Sequence, residues 1–441
     1  MTAVADNLRL DRVTVLGANG AMGAGTATMF ASVGVKVRLV SRDLAKSQGA
    51  LNAAQGIAKS EALADDMEAM TYDQLAASVD GAELIFECLA EDLALKKDLF
   101  AKVDMVRPAD SLIATVSSGL SIREMCEGRS DSFKRHFAGI HLYNPPHVMT
   151  GVEVIPHPDM PAETVAQLAE ALTERFGRAV VVCQDMPAFA GNRIGFKVLN
   201  EVAQLAEKHG VQLMDTLVGP YTGRAMAPLA TIDLVGWDVH KAIVDNVAGN
   251  VQDESIASFA MPAYMNRLLT AGHMGDKTSL KGGFYRKSTK DGKAVTEALD
   301  PASGNYIAQD PALKIDFVNE IRDLYHRGRY DQGMDAFMAA EGAQADIARR
   351  VILGYVSYAL NRVGPGEVVR EYADVDRIMT AGFNWAPPSG LVDLMGLDQT
   401  IAMLERYNLS VPALLTAAKK GEIPTPLFNL PSITVGRYLS G

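Results

Sequence analysis

The 441-residue sequence predicts a parallel α/β domain followed by two copies of one all-helical domain. Three observations predict it. A β-branched run, a glycine turn, a small-residue helix and a second apolar run follow one another over residues 13–40. Apolar residues fall on a helical period from residue 193 onward. A short pattern in that helical region recurs at a fixed offset.

Val13-Thr14-Val15-Leu16 has the pattern of a strand buried on both faces of a parallel sheet. Gly17-Ala18-Asn19-Gly20-Ala21-Met22-Gly23 follows at once. Residues 24–33 read as a helix, Gly34 ends it, and residues 35–40 read as a second strand. Glycines in such a turn let backbone approach a pyrophosphate, and the helix N-terminus offers it unpaired N–H groups. The flanking strand and helix separate this reading from a structural tight turn. The spacing is Gly-x-x-Gly-x-x-Gly, so the turn is expected to be one residue longer than the usual form. Gly17, Gly20, Ala21, Met22 and Gly23 are therefore candidate cofactor contacts.

The second strand ends in Ser41-Arg42-Asp43. An acidic residue at a strand end like this accepts the adenosine ribose hydroxyls and marks NAD. Ser41 and Arg42 could instead donate to a 2′-phosphate, which admits NADP. In the alternative, Arg42 stacks on the adenine and Asp43 takes the ribose. The residues leave both open.

Residues 82–88 and 111–116 read as further strands, and 91–103 as a helix between them. Ligands of open α/β sheets lie beyond the carboxyl ends of strands, which puts Glu87, Glu91, Lys96 and Ser117 near the cofactor cleft. On residue type alone, Lys96 and Lys97 read as solvated surface lysines. This order of elements is that of a Rossmann-type α/β domain.

Residues 136–155 hold a candidate acid–base pair. His141 ends one short apolar run, and Glu153 lies in a second. Asn144-Pro145-Pro146 between them continues neither a strand nor a helix. Two strands joined by that turn would set the histidine beside the carboxylate. A carboxylate that accepts one ring N–H fixes the tautomer and frees the other nitrogen to take a proton from substrate.

Residues 180–183 read as the last strand of the domain, and Pro187 and Gly191 mark its boundary. A long helix follows at 193–208. Asp233-Leu234-Val235-Gly236-Trp237-Asp238 returns as Asp393-Leu394-Met395-Gly396-Leu397-Asp398, and Pro228 returns as Pro388. Each matched pair, 233 with 393 and 228 with 388, is 160 residues apart. A second apolar helix at 348–363 precedes the later copy. The expected domains are 1–187, 188–290 and 346–441. Residues 291–345 are expected to be a linker with some helix near 313–326.

The net charge of -11 argues against a nucleic-acid partner. Cys88, Cys126 and Cys183 have neither metal-ligand spacing nor the makings of a disulfide framework, so no metal is expected and a reducing cytoplasm fits. The first residues lack a basic segment followed by an apolar one, and no apolar run is long enough to cross a bilayer.

Taken together, these pieces resemble the 3-hydroxyacyl-CoA dehydrogenase family from residue 12 to residue 290. The motifs in order are Met22-Gly23-Ala24-Gly25, Ser117-Ser118, His141-Leu142-Tyr143-Asn144-Pro145, Glu153, Gly191-Asn192-Arg193, the first Asp-Leu-Val-Gly copy, and Gly282-Gly283-Phe284-Tyr285. The resemblance implies His141 as general base and Glu153 as the group that orients it. It implies Ser117 and Asn192 as donors to the substrate oxygen, and Glu91 and Lys96 beside the nicotinamide and its ribose. It implies an acyl-CoA substrate, NAD as the favoured cofactor, and a place in fatty-acid β-oxidation. The chain departs from the family pattern at Ser41 and at Thr115-Val116, where Asn-Thr usually stands. The second helical copy has no counterpart of Asn192-Arg193 and is assigned no catalytic part. It could cover the face that short members use to dimerise, which leaves monomer or homodimer open. Two rival readings are a dehydrogenase of a free hydroxy acid and a non-catalytic, crystallin-like cofactor-binding protein.

Overall fold

A computed structural model describes residues 8–278, 281–290, 293–428 and 435–439. The chain forms two compact units that divide after Phe189, two residues past the expected 187.

The first unit is an eight-stranded sheet with helices packed on it. Its strands are β1 (Arg12–Leu16), β2 (Lys36–Ser41), β3 (Met67–Thr71), β4 (Leu84–Glu87), β5 (Leu112–Thr115), β6 (Phe137–Leu142), β7 (Gly151–Pro156) and β8 (Ala179–Val182). Their order in space is β3-β2-β1-β4-β5-β6-β7-β8. Every neighbouring pair is parallel except β6 with β7. The expected strands are all present, with ends shifted by one or two residues. β4, β5 and β6 are buried along their whole length, as strands covered on both faces must be. β3 was not anticipated. Its Met-Glu-Ala-Met-Thr sequence alternates only weakly, which suits a sheet edge.

Helices Ala21–Ala31, Leu44–Ala58 and Leu93–Val106 make the crossovers between parallel strands. The first starts three residues before the expected 24, because Gly20 stays extended at φ -82°, ψ 163° and serves as its N-cap. Gly23 falls inside the helix, where a Cβ would come within 2.7 Å of the Ala18 backbone. It is a packing glycine that lets helix and turn touch.

The second unit is mainly helical, and the recurring motif does the same structural work twice. Helices Pro228–Val235 and Pro388–Met395 both begin on proline, which needs no N–H partner there. Asp215 accepts the amides of Leu229 and Ala230 at 2.9 and 3.2 Å. Asp376 accepts the amide of Ser389 at 3.0 Å, and the Ser389 hydroxyl as well. Asp233 accepts the amides of Phe284 and Tyr285, both at 2.8 Å; Asp393 accepts those of Leu427 and Phe428, both at 2.7 Å. Gly236 and Gly396 end their helices at φ +97° and +83°. The long helices are Gly191–His209 and Ala343–Leu360.

The expected linker is overturned in part: its helix near 313–326 is present as Asp316–His326, but the rest is structured too. Strands β9 (Tyr285–Lys290), β10 (Lys293–Leu299) and β11 (Tyr306–Ala308) form an antiparallel sheet. Helices Asp316–His326 and Tyr330–Ala339 follow and bury Val318, Ile321, Tyr325, Met334, Phe337 and Met338. This stretch is structured and belongs to the same compact unit as both helical copies. Among the described residues, no helix is long and apolar enough to cross a membrane.

His240 illustrates the cost of a polar group in this core. The Asn200 amide nitrogen donates to the carbonyls of Ser258 and Ala260, so its oxygen must accept from His240 Nε2, 3.0 Å away. Nδ1 finds no partner among the described residues. Burial lowers the imidazole pKa from 6.5 to about 3. The unfolded chain therefore takes up this proton as pH falls through 6.5, while the folded chain resists until about 3. The stabilisation is complete above that window and is lost within it as pH falls. Denaturant titrations from pH 7 to pH 4 should show a steeper loss of stability for the native chain than for His240→Gln. Parallel slopes would contradict a neutral buried ring.

Candidate active site

The antiparallel register of β6 and β7 sets His141 directly opposite Glu153. Opposed residues share a face of the sheet, and His141 Nδ1 lies 2.7 Å from Glu153 Oε2. Both side chains are buried. Glu153 takes further donors. The Tyr143 hydroxyl donates to the same Oε2 at 2.8 Å, and Cys183 Sγ lies 3.5 Å from Oε1. Burial first, then the charge of Glu153, push the Tyr143 phenol well above its ordinary range, so it remains a donor. With Nδ1–H held by the carboxylate, Nε2 is the nitrogen left for a reacting proton. The Tyr143 and Phe189 rings flank the imidazole, with centroids 4.8 and 5.7 Å away.

Tyr143 and Cys183 were not anticipated. The signal for Tyr143 was its place two residues after His141, which returns to the same sheet face. Cys183 gave no comparable signal; it follows β8, the strand that pairs with β7.

A cleft of about 790 Å³ opens beyond the carboxyl ends of β1 and β4, where the strand order reverses. Gly17, Asn19 and Gly20 line it, as do Arg42, Tyr72 and Asp73. Gly17 sits at φ +81°, and a Cβ there would lie 2.9 Å from the Cys88 carbonyl oxygen. A Cβ at Gly20 would meet only open space and the Gly17 oxygen 4.0 Å away. No side chain caps the helix that starts at Ala21. An open glycine cradle beneath an uncapped helix N-terminus fits a pyrophosphate. Met22 is half-buried and packs against the core.

The reading of Lys96 as a solvated lysine is overturned. Its side chain is fully buried, with Nζ at 2.9 and 2.8 Å from the two Glu87 oxygens. The Thr115 hydroxyl donates to Glu87 at 2.5 Å and lies 3.4 Å from Nζ. Glu87, nine residues earlier on β4, is what draws the lysine inward. Lys97 stays at the surface and pairs with Glu127 at 2.6 Å. Glu91, half-exposed, lies 3.7 Å from Lys96 Nζ. It accepts the Ser117 hydroxyl at 2.6 Å and the Ser118 amide at 2.8 Å. The structure thus joins Ser117 and Glu91 and places Lys96 behind them.

Ser41 also departs from expectation. Its hydroxyl is buried, has no hydrogen-bond partner among the described residues, and is not among the groups that line the cleft. Asn192 is the second residue of the helix Gly191–His209 in the second unit. The next residue, Arg193, is anchored by Asp253 at 2.9 Å and Tyr358 at 3.0 Å. Tyr358 and Arg362 also bond Asp253, at 2.8 and 3.1 Å. The second helical copy therefore helps hold the first turn of the helix that carries Asn192.

Residues 12–186 match the family model described as 3-hydroxyacyl-CoA dehydrogenase, NAD binding domain. Residues 189–287 match the one described as 3-hydroxyacyl-CoA dehydrogenase, C-terminal domain. The chain is 32% identical over 301 residues to a probable 3-hydroxyacyl-CoA dehydrogenase of Deinococcus radiodurans, covering 65% of this chain and 85% of that one. It is 30% identical over 438 residues to a probable 3-hydroxyacyl-CoA dehydrogenase of Bacillus subtilis, covering 91% of this chain. It spans only about half of that relative, 53% of its length. The crystal structure of 3-hydroxybutyryl-CoA dehydrogenase from Escherichia coli shares the fold, with a TM-score of 0.68 at 22% identity, over 94% of this chain and 99% of that one.

The buried ion pair supplies a test. Lys96→Met leaves the Glu87 charge in the core without its cation, and breaking such a pair costs about 3–5 kcal/mol. Unfolding by denaturant should show that loss, and Glu87→Gln added to Lys96→Met should recover most of it. A single variant as stable as the native chain would mean that Lys96 reaches solvent.

Proposed function

Because the chain belongs to the 3-hydroxyacyl-CoA dehydrogenase family, we propose that it moves a hydride between the 3-carbon of a 3-hydroxyacyl-CoA and a nicotinamide dinucleotide. One observation carries the catalytic assignment: the 2.7 Å contact between His141 Nδ1 and Glu153 Oε2. When bound, the dinucleotide supplies the hydride acceptor. The residues do the rest. Gly17, Gly20 and the helix start at Ala21 hold its pyrophosphate. His141 Nε2 removes the proton of the 3-hydroxyl as hydride leaves the carbon. Glu153 stabilises the imidazolium that forms and keeps the ring from turning, and Tyr143 fixes Glu153 in turn.

Ser117 and Asn192 are proposed as donors to the substrate oxygen as its charge changes. The Ser117 hydroxyl already donates to Glu91, so substrate must share or displace that bond. In the reverse direction the imidazolium returns the proton to a 3-keto group. Oxidation of the 3-hydroxyl is a step of fatty-acid β-oxidation, and we place the reaction there.

His141→Ala should lower kcat by roughly 10²–10⁴, the range for a general base. Dinucleotide affinity, followed by quenching of reduced-nicotinamide fluorescence, should stay the same. A variant that keeps most of its turnover would remove His141 from the mechanism. Turnover of acetoacetyl-CoA but not of free acetoacetate is expected; the reverse would point to a free-acid dehydrogenase.

A further inference from the structure

We infer that the adenosine end of the cleft is built for a 2′-phosphate, so that the cofactor is NADP(H) and Arg42 receives the phosphate. The inference rests on the dehydrogenase reading and deepens it.

An NAD site needs an acceptor where the second strand ends. A carboxylate there bonds the ribose hydroxyls and repels a 2′-phosphate by like charge. No side chain fills that role here. Ser41 holds the position; its hydroxyl is buried, and it is not among the residues that line the cleft. The next acid, Asp43, is committed elsewhere. It caps the helix Leu44–Ala58, with Oδ1 accepting the Lys46 amide at 2.9 Å and Oδ2 the Lys46 ammonium at 2.6 Å. Those bonds to Lys46 hold its carboxyl below the ordinary value.

Arg42 lies between the two. It is exposed and lines the same cleft as Gly17 and Gly20. A guanidinium binds phosphate through paired N–H donors, and such charge-assisted bonds are about twice as strong as neutral ones. Two acids remain on the cleft wall: Asp98, which pairs with Lys102 at 2.7 Å, and Asp73, two residues beyond Thr71, the β3 partner of Ser41.

Calorimetry with adenosine fragments tests this apart from turnover. The native protein should bind 2′,5′-ADP more tightly than 5′-AMP by roughly tenfold to a hundredfold, the range for a bond to a charged group. Arg42→Ala, at an exposed position, should erase that difference and leave 5′-AMP affinity nearly as it was. Equal affinity of the native protein for the two fragments would overturn the inference, as would an Arg42→Ala variant that still favours 2′,5′-ADP. Efficient turnover with NADH alone would refute this inference and leave the dehydrogenase standing. Tight 2′,5′-ADP binding without turnover of any acyl-CoA would do the opposite.

Discussion

Carboxylates taken out of water organise this molecule. A buried carboxylate is tolerated only when donors replace its lost hydration. Glu153 has an imidazole and a phenol on one oxygen and a thiol near the other. Glu87 has an ammonium and a hydroxyl. In the second unit, Asp215 and Asp376 take backbone amides from the start of a following helix, and Asp233 takes them from a segment 51 residues on. Each demand pins two or more elements together. The His141–Glu153 pair is thus one case of a rule that also holds the helices in place.

One sheet carries both halves of the proposed chemistry. β1, β4, β5 and β6 are parallel, so Gly17, Glu87, Ser117 and His141 all emerge near the same edge. Neighbouring strands are about 4.8 Å apart, so β6 lies roughly 14 Å from β1. The glycine cradle and the imidazole are spaced by hydrogen-bonded backbone, which neither side-chain motion nor a flexible loop can alter. Tyr143 adds rigidity at the far end, because it binds the carboxylate that binds the histidine.

The sequence was readable where two independent signals coincided. The first βα turn had both a strand pattern and its glycines, and His141 and Glu153 each lay in an apolar run interrupted by prolines. It was unreadable where a residue's partner came from another element. Lys96 sits on a helix surface by pattern, and only Glu87 on the adjacent strand explains its burial. Tyr143 reads as an ordinary core aromatic until Glu153 is seen beside it. Strands β9 and β10 carry charged or polar residues on both faces, so no alternation announced them. The repeated Asp-Leu-x-Gly segment was visible, but the equivalent capping by Asp215 and Asp376 was not, since their neighbours share no pattern.

The ionic cluster around Asp253 has a consequence for how the two helical copies depend on each other. Arg193 comes from the first copy, Tyr358 and Arg362 from the second, and all three converge on one carboxylate. Neither copy is a spare part. Shortening the chain after the first copy would leave Asp253 and Arg193 without the tyrosine and arginine that close their cluster.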